Sequence, residues 1–136
     1  MNSCKSDTLT LGATSFTLYE LSALNRLEYL EYVFQEQSQL PPDDAKENEK
    51  FKAFVGLNIR DCAWIVALSL SQAEGESRSV KDISHDLLRN HPVPILSAAA
   101  GKVRELSDMI PAVDALKESA AEEAPQEVEP PSLEKS

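Results

Sequence analysis

The sequence predicts a mainly α fold: a small helical domain of about four to five helices, a short N-terminal β-hairpin and a disordered acidic C-terminal tail. Three observations carry this. Apolar residues recur every three or four positions through most of the chain, as one face of a helix requires. Between Thr8 and Leu18 the period is two instead, with Leu9, Leu11, Phe16 and Leu18 separated mainly by threonines and serine. From Pro111 onward the composition turns acidic and proline-rich. The expected division is therefore a helical domain over 8–110 and a tail over 111–136.

The alternating stretch reads as a hairpin turning at Gly12-Ala13-Thr14. An isolated hairpin is marginal in water, so this one must pack on helices or pair with another chain. The first helix is expected from about Leu18 to about Gln37. Thr17 and Glu20 have the spacing of a capping box, and Phe16 and Leu21 that of a hydrophobic staple. Leu21, Leu24, Leu27, Leu30 and Phe34 then share one face, read as the core face. On that reading Thr17→Ala costs about 1 kcal/mol, and Leu24→Ala about 2–5 kcal/mol if Leu24 is buried.

Pro41-Pro42 cannot continue the helix, and Asp43 and Asp44 read as a cap for the next. That stretch places charges of alternating sign from Lys46 to Lys52 on a solvated face, with Phe51, Phe54 and Val55 on the apolar side. Gly56 and Asn58 are expected to interrupt it and Asp61 to recap it. The following run, Ile59 to Leu70, is apolar nearly all round, which marks a central buried helix. β-branched Ile65 and Val66 leave a strand as the alternative. Ser79 and Asp82 suggest a second capping box, opening a helix to about Asn90 that presents Val80, Ile83, Leu87 and Leu88. Pro94 suits the first position of a last helix carrying Ile95, Leu96, Ala99, Val103, Leu106 and Ile110. Its Ala98–Gly101 segment would permit a close helix approach.

The tail, 111–136, holds seven acids (Asp114, Glu118, Glu122, Glu123, Glu127, Glu129, Glu134), two bases (Lys117, Lys135) and four of the eight prolines. Its charge of −5 is half of the −10 carried by the 136 residues. Such a segment buries too little apolar surface to offset the entropy of ordering it, a short helical remnant over Ala112–Ala121 aside.

The acidic balance argues against nucleic acid, whose phosphates need a basic face, and against anionic membranes. The longest apolar run, Cys62–Leu68, falls far short of the roughly 20 residues that span a bilayer. No signal-peptide pattern follows Met1. Cys4 and Cys62 are read as free thiols in a reducing compartment. No catalytic, cofactor or metal residues emerge. His85 and His91 lack metal-pair spacing; the first reads as solvent-facing and the second as a helix C-terminal residue. Cys62 reads as a buried inert thiol. Glu28 and Glu31 read as a solvated face, and Tyr19, Tyr29, Tyr32 and Trp64 form no stacking platform joined to basic residues. What remains is an interaction protein rather than an enzyme.

Three segments, in order, resemble the minor tail protein G family of lambda-like tailed bacteriophages, the tail assembly chaperones. They are Thr17-Leu18-Tyr19-Glu20-Leu21-Ser22-Ala23-Leu24-Asn25-Arg26-Leu27-Glu28-Tyr29-Leu30, then Ile59-Arg60 with Ala63–Leu70, then Asp86-Leu87-Leu88 through Pro92 to Arg104–Met109. The resemblance covers roughly residues 8–110 and implies a non-structural factor in the host bacterial cytoplasm, absent from the mature virion. Such a factor binds and solubilises the tape measure protein while the tail tube polymerises around it. The resemblance also implies a longer frameshifted form whose extension recruits the tail tube protein. No residue is assigned to partner binding. A homo-oligomer is left open, with the hairpin edge and the Ala98–Gly101 face as candidate contacts. The alternatives are a small acidic adaptor or regulator of a single host protein, and an enzyme whose site lies between chains.

Overall fold

The computed structural model describes residues 4–74 and 77–109. The expected tail, Gly75 and Ile110 lie outside the described residues. Two antiparallel strands, β1 (Ser6–Leu11) and β2 (Thr14–Tyr19), precede four helices: α1 (Ala23–Ser38), α2 (Glu47–Glu74), α3 (Val80–Asn90) and α4 (Val93–Leu106). The mainly α class with an N-terminal hairpin is as the sequence predicts.

The hairpin pairs Leu11 with Thr14 next to its turn and Ser6 with Tyr19 at its open end. Gly12 makes the reversal at φ +62°, a left-handed conformation that glycine adopts without steric cost. Phe16 and Leu18 point into the core while Thr17 and Ser15 face out, so period two is obeyed. The open end is closed by two contacts: Glu20 N–H donates to the Lys5 carbonyl at 2.8 Å, and Lys5 N–H to Glu20 Oε1 at 2.8 Å.

The capping box expected at Thr17/Glu20 is therefore absent. Thr17 sits in the ladder opposite Thr8, and the helix begins after Ser22. Ser22 Oγ accepts from Asn25 N–H at 3.1 Å, while Asn25 Oδ1 accepts from Ser22 N–H at 3.4 Å. That is a capping box with Asn in the reaching position. Both spacings are present in the sequence; the ladder and the burial of Leu18 select the second.

α2 supplies the axis of the core. Its Ala63, Ile65, Val66, Ala67 and Leu68 are all at most 1% exposed, as the central-helix reading requires. The helix is also one continuous element of 28 residues. Gly56 and Asn58 do not interrupt it. Asp61 is no cap, because its carboxylate is held by Tyr29 and Arg104. Asp43 and Asp44 lie in the preceding turn, and Glu47 and Glu49 occupy the first turn. By length and composition α2 could cross a bilayer, yet its apolar half is the hub on which β2, α3 and α4 pack.

α3 starts at Ser79, whose side chain accepts from Asp82 N–H at 3.0 Å. Ile83 and Leu87 are buried, Val80 is partly so, and Leu88 is exposed. His91 ends the helix and lays its ring edge-on to Phe16, with centroids 5.2 Å apart. In α4, Pro94 is the second residue rather than the first. Ala99 and Ala100 are fully buried, so the small-residue face is spent inside the fold and is not free for a second copy. Gly101 is not what permits the approach: a Cβ there would meet nothing within 4 Å.

Candidate interaction surface

The link from β2 to α1 is fixed by side chains of α2 and α4. Ser69 Oγ accepts from Tyr19 N–H at 2.6 Å and donates to the Tyr19 carbonyl at 2.9 Å. Gln72 Nε2 donates to the Glu20 carbonyl at 2.7 Å and to Asn25 Oδ1 at 3.1 Å. Ser107 Oγ accepts from Leu21 N–H at 2.9 Å, and Arg26 donates to the Ser107 carbonyl at 2.8 Å. Backbone donors that leave a strand without a helical partner are thereby satisfied. The rotation of α1 about its axis is set by the same contacts.

That rotation overturns the expected core face. Asn25, Tyr29, Tyr32 and Glu36 reach toward α2. Tyr29 Oη donates to Asp61 Oδ1 at 2.7 Å, and Arg104 Nη2 donates to Asp61 Oδ2 at 2.5 Å. Tyr32 stacks on Trp64 with centroids 4.5 Å apart and planes 5° from parallel. Arg60 Nε donates to Glu36 Oε1 at 2.9 Å. At about 100° per residue this face lies roughly opposite the leucine stripe. Leu24, Leu27, Leu30 and Phe34 are accordingly 64%, 65%, 63% and 71% exposed; of the expected stripe, Leu21 alone is buried. The physical reason is that α1 docks through a polar and aromatic network, leaving its apolar stripe outside.

Electrostatics bind the docked face. Burial first, then the Asp61 carboxylate, pushes the Tyr29 phenol up to about 12. Burial likewise pushes Tyr32 up to about 12. Burial works against the Arg104 charge, but the hydrogen bond to Tyr29 and the Asp61 charge outweigh it and raise the pKa. Burial raises the Cys62 thiol, in keeping with an inert thiol. Among the described residues Cys62 forms no disulfide. Trp64 Nε1 is buried with no hydrogen-bond partner among the described residues. His85 is exposed, as expected. Among the described residues no cluster of His, Cys, Asp and Glu could hold a metal ion.

Two further apolar features flank the stripe's helix. Leu40 and Pro41 of the connecting loop and Phe51 and Phe54 of α2 line an open groove of about 370 Å³, with Phe51 69% and Phe54 58% exposed. A second cleft, of about 260 Å³, lies between α1, α2 and α3, with Glu28 and Glu31 at one side and Tyr32, Trp64 and Val80 among its walls. Glu28 and Glu31 are exposed, as a solvated face requires, and they also border this cleft; the stack of Tyr32 on Trp64 is a contact that the sequence does not announce. The missing signal was spatial: Trp64 lies 32 positions beyond Tyr32 in the chain.

Leu24, Leu27, Leu30 and Phe34 thus stand in a row outside the described fold, and a contiguous exposed apolar patch of this kind is a common mark of an interaction surface. Comparison with known proteins agrees with an assembly role. The family model described as bacteriophage lambda tail assembly chaperone, TAC, protein G, matches residues 4–127. Tail assembly protein G of Escherichia phage N15 is 33% identical, over 96% of this chain and 94% of its own length. Tail assembly protein G of Escherichia phage lambda is 32% identical, over 77% of this chain and 76% of its own. The N15 protein named GT is also 33% identical, but there the chain spans 51% of the relative's length. No solved structure matches. A match to the family model over residues 4–127, and to an N15 relative over 96% of the chain, places this chain in the lambda tail assembly chaperone family, protein G.

Proposed function

We propose that this tail assembly chaperone binds and solubilises the tape measure protein of its phage or prophage and promotes tail tube polymerisation around it. The carrying observation is the outward stripe of α1, Leu24, Leu27, Leu30 and Phe34. A tape measure protein is long and helical, and before enclosure its apolar stripes need cover. A rigidly held helix with an apolar outer face offers that cover by helix-to-helix packing. The formal charge of −10 keeps the coated complex soluble. The helical domain makes the contact, and the acidic segment 111–136 links it onward. In a frameshifted longer form that segment leads to an extension that recruits the tail tube protein. The GT relatives, of which the chain spans 51% and 38%, support that arrangement. The protein works in the host bacterial cytoplasm and is absent from the mature virion.

Co-expression with the tape measure protein tests this. The expected result is a soluble complex holding many chaperone copies per tape measure chain, lost on Leu27→Asp/Leu30→Asp while the variant keeps its helical circular dichroism. A tape measure protein that stays insoluble and unbound, or a one-to-one complex with a single host protein instead, overturns the reading.

A further inference from the structure

The cleft between α1, α2 and α3 is bordered on α1 by Glu28, Glu31, Tyr32 and Gln35. Going round α1 at about 100° per residue, the stripe comes first, then Glu31 and Glu28, then Tyr32 and the docked face. The two carboxylates therefore stand between an apolar track and a cleft of about 260 Å³ walled by Tyr32, Trp64, Leu68 and Val80. Neither carboxylate is used by the fold as a charge. The ion pairs among the described residues take Asp7, Glu36, Glu47, Asp61, Asp86, Glu105 and Asp108. Glu28 accepts only a long contact from Asn25 Nδ2, at 3.3 Å. Two uncompensated carboxylates at the mouth of an aromatic and aliphatic cleft match one kind of side chain. It has a long apolar stem, which lies along Tyr32, Trp64 and Val80, and a cationic head, which stays at the carboxylate rim.

We propose that this cleft receives a lysine or arginine side chain projecting from an amphipathic helix of the client laid along the α1 stripe. The proposal rests on the reading of that stripe as the client site and adds how the client is recognised and oriented. An apolar stripe alone lets a partner helix slide or reverse. A cation held on one side of it fixes the direction and the register.

Charge decides between occupants. A second copy of this chain would set its own Glu28 and Glu31 near these carboxylates, and each copy carries −10. The chain's own 111–136 segment brings seven acids against two bases. Both are repelled by an acidic rim, whereas a basic-flanked client helix is attracted.

Two synthetic amphipathic helical peptides test the proposal by calorimetric titration of the full chain. They carry the same leucine stripe, one with lysines and the other with glutamines along one flank. The lysine peptide is expected to bind about tenfold more tightly at low salt. That preference should fall to about twofold or less in Glu28→Gln/Glu31→Gln, whose substituted side chains keep the shape and the Asn25 contact. Equal binding of the two peptides, or a preference that survives in the double variant, overturns the cationic cleft and leaves the stripe reading standing. Binding of neither peptide overturns both. Co-purification of the tape measure protein with the double variant separates them again: undiminished capture rejects the cleft alone. A sedimenting dimer that the lysine peptide does not displace assigns the stripe to a second copy and rejects the proposal.

Discussion

Ser69 shows how a single hydroxyl can set the geometry of an element. It is fully buried on α2 and both accepts from and donates to the Tyr19 backbone, so it takes the place of a missing strand partner. Ser69→Ala leaves the Tyr19 N–H without a partner in a dry setting and is expected to cost about 1–3 kcal/mol in urea unfolding. An exposed serine such as Ser97 changed in the same way should move stability by no more than about 0.5 kcal/mol. Tyr29 makes a pH-dependent claim. Its phenol, near 10 in an unfolded chain, is pushed up to about 12 by burial. The neutral phenol's stabilisation is thus full below about 10 and is lost as pH rises through about 12. Tyr32 acts in the same direction. Tyr29→Phe is expected to lower stability at neutral pH by about 1–2 kcal/mol, through the hydrogen bond to Asp61. It should also flatten the alkaline fall between those two values. Chemical denaturation across that range reads both effects, and an unchanged alkaline slope would discount the Tyr29 environment.

At the scale of elements, the strands, the central helix and the last two helices were legible in the sequence because their local patterns and their burial agree. α1 was not. Its apolar periodicity correctly announced a helix, but periodicity cannot say which surface a stripe meets. Leu24, Leu27, Leu30 and Phe34 are spaced as a core face and stand in solvent. The true docking residues, Asn25, Tyr29, Tyr32 and Glu36, are polar or aromatic, and they acquire meaning only through Gln72, Asp61, Trp64 and Arg60 on α2. The helix start misled for a related reason. Thr17-x-x-Glu20 and Ser22-x-x-Asn25 are both valid caps locally, and pairing of Thr17 with Thr8 removes the first. The stability ranking therefore inverts the sequence expectation. Leu24→Ala and Leu27→Ala should each change unfolding free energy by about 0.5 kcal/mol or less, while Leu68→Ala should cost about 2–5 kcal/mol. Ser22→Ala should cost about 1 kcal/mol, and Thr17→Ala less than that. A large loss at Leu24 or Leu27 would mean that the stripe is covered within the protomer.

Across the whole molecule, stability is unevenly spread along the longest element. α2 runs from Glu47 to Glu74, and Ala63 and Ile65 to Ser69 are buried in the core where β2, α3 and α4 pack on the helix. Its opening turns are different. Phe51, Phe54 and Val55 are 69%, 58% and 37% exposed, and Phe51 and Phe54 line an open groove with the loop residues Leu40 and Pro41. A helix holds in water chiefly through the tertiary packing of one face, so its two ends should open with different free energies. Gly56 adds to the contrast, since glycine in a helix interior lowers its stability by roughly 1 kcal/mol. Amide hydrogen exchange on the isolated full chain should show 47–55 exchanging at least about 100-fold faster than 63–69. Binding of the tape measure protein at the α1 stripe alone would leave that ratio unchanged. Slowing of 47–55 on binding would extend the client track from α1 onto the groove at Phe51 and Phe54. Uniform protection along α2 in the free chain would contradict the exposed environment of its first turns.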